Sequence, residues 1–245
     1  MRVAVITGGA GALGAAVARE LGAADVDRTA LVDADEERLR DTEKRLCLEG
    51  LDVVGLPCDV ADSASVARAL ERITGENGSP VVLVNAAGVP GRTGARPAAQ
   101  DVSDEQWRHT LDVNLTGAFL WCRAVIPPMR SAAYGRIVNI ASVAGRTASP
   151  TAALPYAVSK AGLLGLTRAL AAELAPHGIL VNSVAPSRIV NDNWPPVGSD
   201  SDVLPPIGRL ARVDEVAAVV AFLASARNSY TTGAILDVNG ARFVP

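Results

Sequence analysis

Short runs of Val, Ile, Leu and Thr recur along this chain, each followed by a longer segment with helical apolar spacing. The runs lie near Arg2–Thr7, Thr29–Val32, Asp52–Leu56, Val81–Asn85, Arg136–Ser142, Leu180–Val184 and Ala234–Asp237. They are nearly continuous rather than alternating with polar residues. Strands of that kind are buried on both faces, as in a parallel sheet covered by helices on either side. The intervening segments include LGAAVARELG, DEERLRDTEKRLCLEG, SASVARALERITG and VDEVAAVVAFLASA, with two long helices expected over Asp104–Arg130 and Leu154–Pro176. Gly22, Gly50 and Gly178 stand just past expected helix ends, where a left-handed residue closes the last turn. The alternation predicts an α/β fold with one doubly wound parallel sheet of about seven strands and helices on both faces. Residues 1–245 read as one domain. The irregular stretch 187–206 is long, polar and Pro-rich, and a loop of that length within a compact domain is expected to be functional or disordered.

Composition excludes several functions. The net charge is −3 and no Lys/Arg stripe occurs, which argues against nucleic acid as a partner. His109 and His177 have no second ligand at metal spacing, so no metal site is expected. Cys47, Cys58 and Cys122 are far apart and read as reduced core thiols. No apolar run reaches the roughly 18–20 residues that span a bilayer, and no signal-peptide pattern opens the chain. A cytoplasmic protein without a membrane partner is expected.

The first strand runs into TGGAGALG, Thr7–Gly14, and then a helix. A glycine-rich strand-to-helix turn lets backbone N–H groups approach a pyrophosphate at the positive end of a helix. The second strand ends at Asp33, about 20 residues further on, where a carboxylate receives the ribose hydroxyls of a dinucleotide. Asp59 ends the third strand on the same edge. The pattern is that of a Rossmann dinucleotide fold. Asp33 would repel a 2′-phosphate, and no Arg or Lys lies in the turn, so NAD is the expected cofactor rather than NADP.

VNAAG follows at Val84–Gly88, DVNLTG places Asn114 on a helix, IVNIASVAG ends a strand at Ser142, and YAVSK sets Tyr156 and Lys160 one helical turn apart. A free phenol has a pKa of about 10, so lowering it to about 7 would take roughly 4 kcal/mol, which the Lys160 ammonium is expected to help supply. Ser142 can hydrogen-bond a substrate oxygen beside Tyr156.

With these motifs in this order, the chain resembles the short-chain dehydrogenase/reductase family over essentially its whole length. The resemblance implies a catalytic tetrad of Asn114, Ser142, Tyr156 and Lys160, with Lys160 also holding the nicotinamide ribose and Asn114 positioning a water that links Lys160 to solvent. It implies cofactor contacts from Gly8, Gly11, Leu13, Gly14, Asp33, Asp59, Val60, Asn85, Ala86, Gly88, Tyr156, Lys160 and Ile189. It further implies a homo-oligomer, by preference a tetramer, paired through the two long helices.

The chain departs from the family pattern at Ala12, where a turn glycine is usual, at Ala86, and at Ser187 after Pro186. Members acting on acyl carrier protein tend to carry basic residues where Ala133 and His177 stand here. Parts of the second half, WRHTLDVNLTGAFLWCRAV and TTGAILDVNG, are similar to dehydrogenases of sugar acids and polyols, and the resemblance makes 187–206 the expected substrate loop, in which Trp194 either closes over the substrate or packs on a partner subunit. The implied reaction is interconversion of a secondary alcohol and a ketone on a small polyhydroxylated or cyclic substrate. A carrier-protein or CoA ketoreductase and a catalytically silent NAD-binding regulator are the alternatives.

Overall fold

The computed structural model describes residues 1–22, 26–91, 97–190 and 204–245. Seven strands, β1 (Arg2–Thr7), β2 (Arg28–Asp33), β3 (Val53–Pro57), β4 (Ser79–Asn85), β5 (Gly135–Ile140), β6 (Ile179–Pro186) and β7 (Ile235–Val238), form one sheet in the order β3-β2-β1-β4-β5-β6-β7. Every pairing is parallel. The order reverses between β1 and β4, which opens a crevice at the carboxyl ends of these strands, where doubly wound sheets take their ligands.

Alternate residues of each strand serve opposite cores. Ala4 and Ile6 of β1 pack with α1 (Ala12–Leu21), α2 (Glu36–Leu48) and α7 (Val213–Ala224). Val3 and Val5 face α3 (Ser63–Arg72), α5 (Gly117–Ser131) and α6 (Leu154–Leu174) through Val66, Trp121, Val125 and Leu174. Both faces are therefore apolar, as the continuous runs require. Asp35 and Asp62 cap α2 and α3, accepting from backbone N–H groups of the first turns.

Several expectations change. The helix expected over Asp104–Arg130 is divided into α4 (Asp104–Leu111) and α5 by a π-helical turn at Asp112–Thr116 with Asn114 at its centre. Gly50 and Gly178 take positive φ past their helices, but Gly22 has φ −63°, so no left-handed residue closes α1, and a Cβ there would first meet the movable end of the Leu51 side chain. Cys58 and Cys122 are buried, whereas Cys47 lies on the exposed side of α2 and is not a core thiol. Residues 191–203 of the expected substrate loop, Trp194 among them, lie outside the described residues. Among the described residues no helix is long and apolar enough to cross a membrane, and no cluster of His, Cys, Asp and Glu could hold a metal.

Candidate active site

The glycine turn is compact because little else fits. Gly8 has φ +68°, and a Cβ there would lie 2.8 Å from the Ala87 backbone nitrogen. A Cβ on Gly14 would collide with the carbonyl of Gly8, so α1 can start directly against the end of β1. Gly11 precedes the helix with no side-chain cap, leaving N–H groups of the first turn to face the crevice. Leu13 packs on the core below, and Ala12 is the exposed first helical residue, so its methyl group lies outside the packed turn. Asp33 accepts from Ala10 N at 3.0 Å and Asp35 N at 3.1 Å, which ties the carboxylate to the rim of the turn. An uncapped helix start beside a backbone-held carboxylate fits the pyrophosphate and ribose ends of a dinucleotide.

The neighbouring positions complete this edge. Asp59 is exposed and accepts from Ala61 N at 2.9 Å. Val60 is buried and fills the space that glycine leaves at Gly117. Thr7 accepts from both Ala86 N and Ala87 N at 3.1 Å, fixing the segment after β4. The Asn85 side chain points into the core, donating to Asn139 Oδ1 at 2.9 Å and towards Cys122 Sγ, so only its backbone borders the crevice. Ile189 lies on the far side of the edge, in a parallel bridge with Ala211.

The four residues of the expected tetrad meet on the same edge. Asn114 is 1 % exposed. Its carboxamide accepts from Val89 N at 2.8 Å and donates to Val89 O and to Ser159 Oγ, each at 3.0 Å. Ser159 in turn donates to the Tyr156 carbonyl at 2.8 Å, so Asn114 is joined to the first turn of α6 through a residue that the sequence did not single out. The widened π turn turns Asn114 towards both partners. Gly88 lies between two polar heads: a Cβ there would be 3.3 Å from Asn114 Oδ1 and 3.5 Å from Lys160 Nζ.

Lys160 is buried, with Nζ donating to Ile140 O at 2.7 Å and lying 5.6 Å from the centroid of the Tyr156 ring. Burial lowers its ammonium to about 8. Burial pushes the half-buried Tyr156 phenol above its ordinary value, and the Ser142 hydroxyl beside it pulls the other way. The expectation that Lys160 draws the phenol down is thus corrected for the free chain. Desolvation opposes phenolate and ammonium alike. Ser142 opens a 3-10 turn, Val143–Gly145, and accepts from Ala144 N at 3.2 Å. Beyond it, at the ends of β6 and β7, lies a cavity of about 220 Å³ lined by Ser187, Ile207, Arg209, Glu215, Asp237 and Asn239.

A phenol, a serine hydroxyl and a buried ammonium beside a crevice that fits a dinucleotide are groups that an oxidoreductase can use. The comparisons agree. The family model described as enoyl-(acyl carrier protein) reductase matches residues 8–240. The 3-oxoacyl-(acyl-carrier-protein) reductase of Pseudomonas aeruginosa is 37 % identical over 249 residues, spanning 99 % of this chain and 98 % of that protein. The 2-dehydro-3-deoxy-L-rhamnonate dehydrogenase (NAD(+)) of a Sphingomonas species is 37 % identical over 247 residues, spanning 98 % and 95 %. A crystal structure of an NAD-bound 3-oxoacyl-(acyl-carrier-protein) reductase from Brucella melitensis superposes with a TM-score of 0.92 at 36 % identity, covering 100 % of this chain and 92 % of that one. The chain belongs to the short-chain dehydrogenase/reductase family of oxidoreductases.

Proposed function

We propose that the chain is an NAD-dependent dehydrogenase that interconverts a secondary alcohol and a ketone on a small polyhydroxylated or cyclic substrate. The observation that carries this reading is the meeting of Tyr156, Lys160 and Ser142 at the sheet edge that also bears the glycine turn and Asp33. The nicotinamide, when bound, supplies the hydride acceptor or donor. Ser142 Oγ holds the substrate oxygen. Tyr156 Oη takes the hydroxyl proton during oxidation and returns it during reduction. Lys160 Nζ, anchored by Ile140 O, favours the phenolate while still mostly protonated at neutral pH, and holds the ribose. Asn114 fixes Val89 and, through Ser159, the backbone of Tyr156, and holds a water for proton exchange with solvent. Gly8, Gly11, Leu13 and Gly14 cradle the dinucleotide, with Asp33, Asp59, Val60, Asn85, Ala86, Gly88 and Ile189 lining its length. Asp33 favours a free ribose over a 2′-phosphate.

A ketoreductase acting on carrier-bound acyl groups is the second reading, favoured by the Pseudomonas relative. Ala133 and His177, both exposed, give an acidic carrier no pair of fixed cations. Exposed apolar residues on the outer helices, Phe119 on α5, Val158 on α6 and Phe222 on α7, support a homotetramer, in keeping with a single-domain cytoplasmic enzyme.

The test pairs Tyr156→Phe with a substrate panel. NAD reduction is followed across polyols, sugar acids, cyclitols and a hydroxyacyl thioester, and NADP is run in parallel. The expected result is turnover of a small polar alcohol with NAD, a loss of about 100-fold or more in Tyr156→Phe, and retained NAD binding by that variant. Undiminished turnover by Tyr156→Phe would overturn the mechanism, and a preference for the thioester with NADP would favour the second reading.

A further inference from the structure

The segment bearing Ser142 is gripped from two sides. On one side Gly145 lies flat on α6: a Cβ there would be 2.6 Å from the Lys160 carbonyl carbon and 2.7 Å from Ala161 N. On the other, Arg146 reaches across the end of β6 to Asp237 on β7, with Nε–Oδ1 at 3.2 Å and Nη2–Oδ2 at 2.8 Å. Both side chains are less than one-fifth exposed. The other face of the guanidinium lies 4.8 Å from the centroid of the Phe243 ring, near the end of the chain. Phe243 is held in turn, its carbonyl accepting from Asn239 Nδ2 at 3.1 Å. A two-point fork at this burial fixes a direction as well as a distance, which a surface ion pair does not. The Ser142 turn is thereby tied to the sheet edge and the carboxyl-terminal tail, and Arg146 belongs to neither the proton path nor the dinucleotide crevice.

We propose that Arg146 and Asp237, with Phe243 stacked on the guanidinium, are positioning residues that hold the Ser142 hydroxyl against Tyr156. The inference rests on the site reading above. Arg146 acts through Ser142 and touches neither substrate nor cofactor. Releasing the fork leaves the turn held by Gly145 against α6 and by the bond from Ala141 N to Val184 O at 2.8 Å, with its Arg146 end loosened and the aim of Ser142 less closely fixed.

The experiment compares Arg146→Met, Asp237→Asn, Arg146→Met/Asp237→Leu, Ser142→Ala and Tyr156→Phe, using the alcohol that the wild-type enzyme oxidises fastest in the panel. Six readouts are taken: kcat, its pH profile, KM, NAD affinity, thermal stability, and amide exchange across Ala141–Thr147. The expected result for Arg146→Met and Asp237→Asn is a fall in kcat of about 10-fold or more. NAD affinity should change by less than about threefold, exchange should quicken in Ala141–Thr147, and the alkaline limb of the kcat profile should move the same way as in Ser142→Ala. The double variant removes both charges together and so recovers thermal stability, yet its kcat stays low. A merely structural pair would show the reverse, with activity returning as stability does, and that outcome overturns the proposal. Wild-type kcat and exchange in Arg146→Met overturn it as well. Turnover by Tyr156→Phe would instead sink the site reading itself, which separates the two failures.

Discussion

Replacing Lys160 by Met tests the energetics of the site without any substrate. Burial holds the Lys160 ammonium at about 8 against 10.5 for a free lysine. At about 1.4 kcal/mol per unit, keeping the charge at neutral pH costs the fold about 3 kcal/mol. Methionine keeps the apolar stem and removes the charge, but Ile140 O loses its donor, a penalty of about 1–3 kcal/mol. Lys160→Met should therefore be as stable as the parent at pH 7 or up to about 2 kcal/mol more so, while turnover is lost. The pH dependence fixes the sign. Between about 8 and 10.5 the unfolded parent binds more protons than the folded one at this site, so parental stability rises with pH through that window. The advantage of the variant should shrink by about 3 kcal/mol from pH 7 to beyond pH 10 and turn into a deficit. Urea unfolding of both proteins, without cofactor and at one protein concentration, measures the difference, and other titrating groups cancel in it. A parent-to-variant difference that stays constant with pH would refute the burial argument.

Three further outcomes follow from single contacts. Asp33→Ser removes the negative charge and the two-oxygen acceptor that Ala10 N and Asp35 N share, and should move the kcat/KM ratio of NAD to NADP towards NADP by about tenfold or more; an unchanged ratio in steady-state kinetics would mean that Asp33 does not read the ribose. Gly145→Ala must push the Ser142 turn off α6 and should lower kcat and destabilise the fold by about 1–3 kcal/mol, whereas Gly75→Ala, with nothing within 4 Å of the added carbon, should do neither. A maleimide should modify Cys47 in the native enzyme and leave Cys58 and Cys122 until unfolding, because burial pushes the Cys122 thiol up to about 12; mass spectrometry of the labelled peptides decides.

The seven strands were legible because each is an apolar run long enough to cross the core and buried on both faces, so period and composition agree. The break in the long helix was not. The residues of Asp112–Thr116 keep an apolar rhythm that a regular helix would satisfy. What opens the turn is tertiary: Asn114 must meet Val89, 25 positions earlier, and Ser159, 45 later. The Arg146–Asp237 fork spans 91 positions, and no local pattern announces it. Lys160 was found by its spacing from Tyr156, yet the sequence held a second signal. Lys44 and Lys160 are the only lysines among 23 basic residues. A chain that otherwise uses Arg keeps a lysine where the cation is buried against one carbonyl and its pKa must fall; a guanidinium stays charged and its fork would demand more acceptors.

The register explains why the sequence assigned Asn85 to the cofactor while its side chain serves the core. Thr7 pairs with Asn85, Asn85 with Asn139, and Asn139 with Ser183, so four polar residues stand in one row across β1, β4, β5 and β6. Asn85 donates to Asn139 Oδ1, Asn139 donates to Thr167 of α6 at 2.9 Å, and Ser183 donates to Asn139 O at 2.9 Å. The row lies directly beneath the carboxyl-terminal edge, one residue before Ile140, whose carbonyl seats Lys160. A one-residue slip of β5 would turn Asn139 to the other face and bury unpaired amides, so the row enforces a single register. That register places Ile140 O, and through it Lys160 and Tyr156, at fixed heights above the glycine turn.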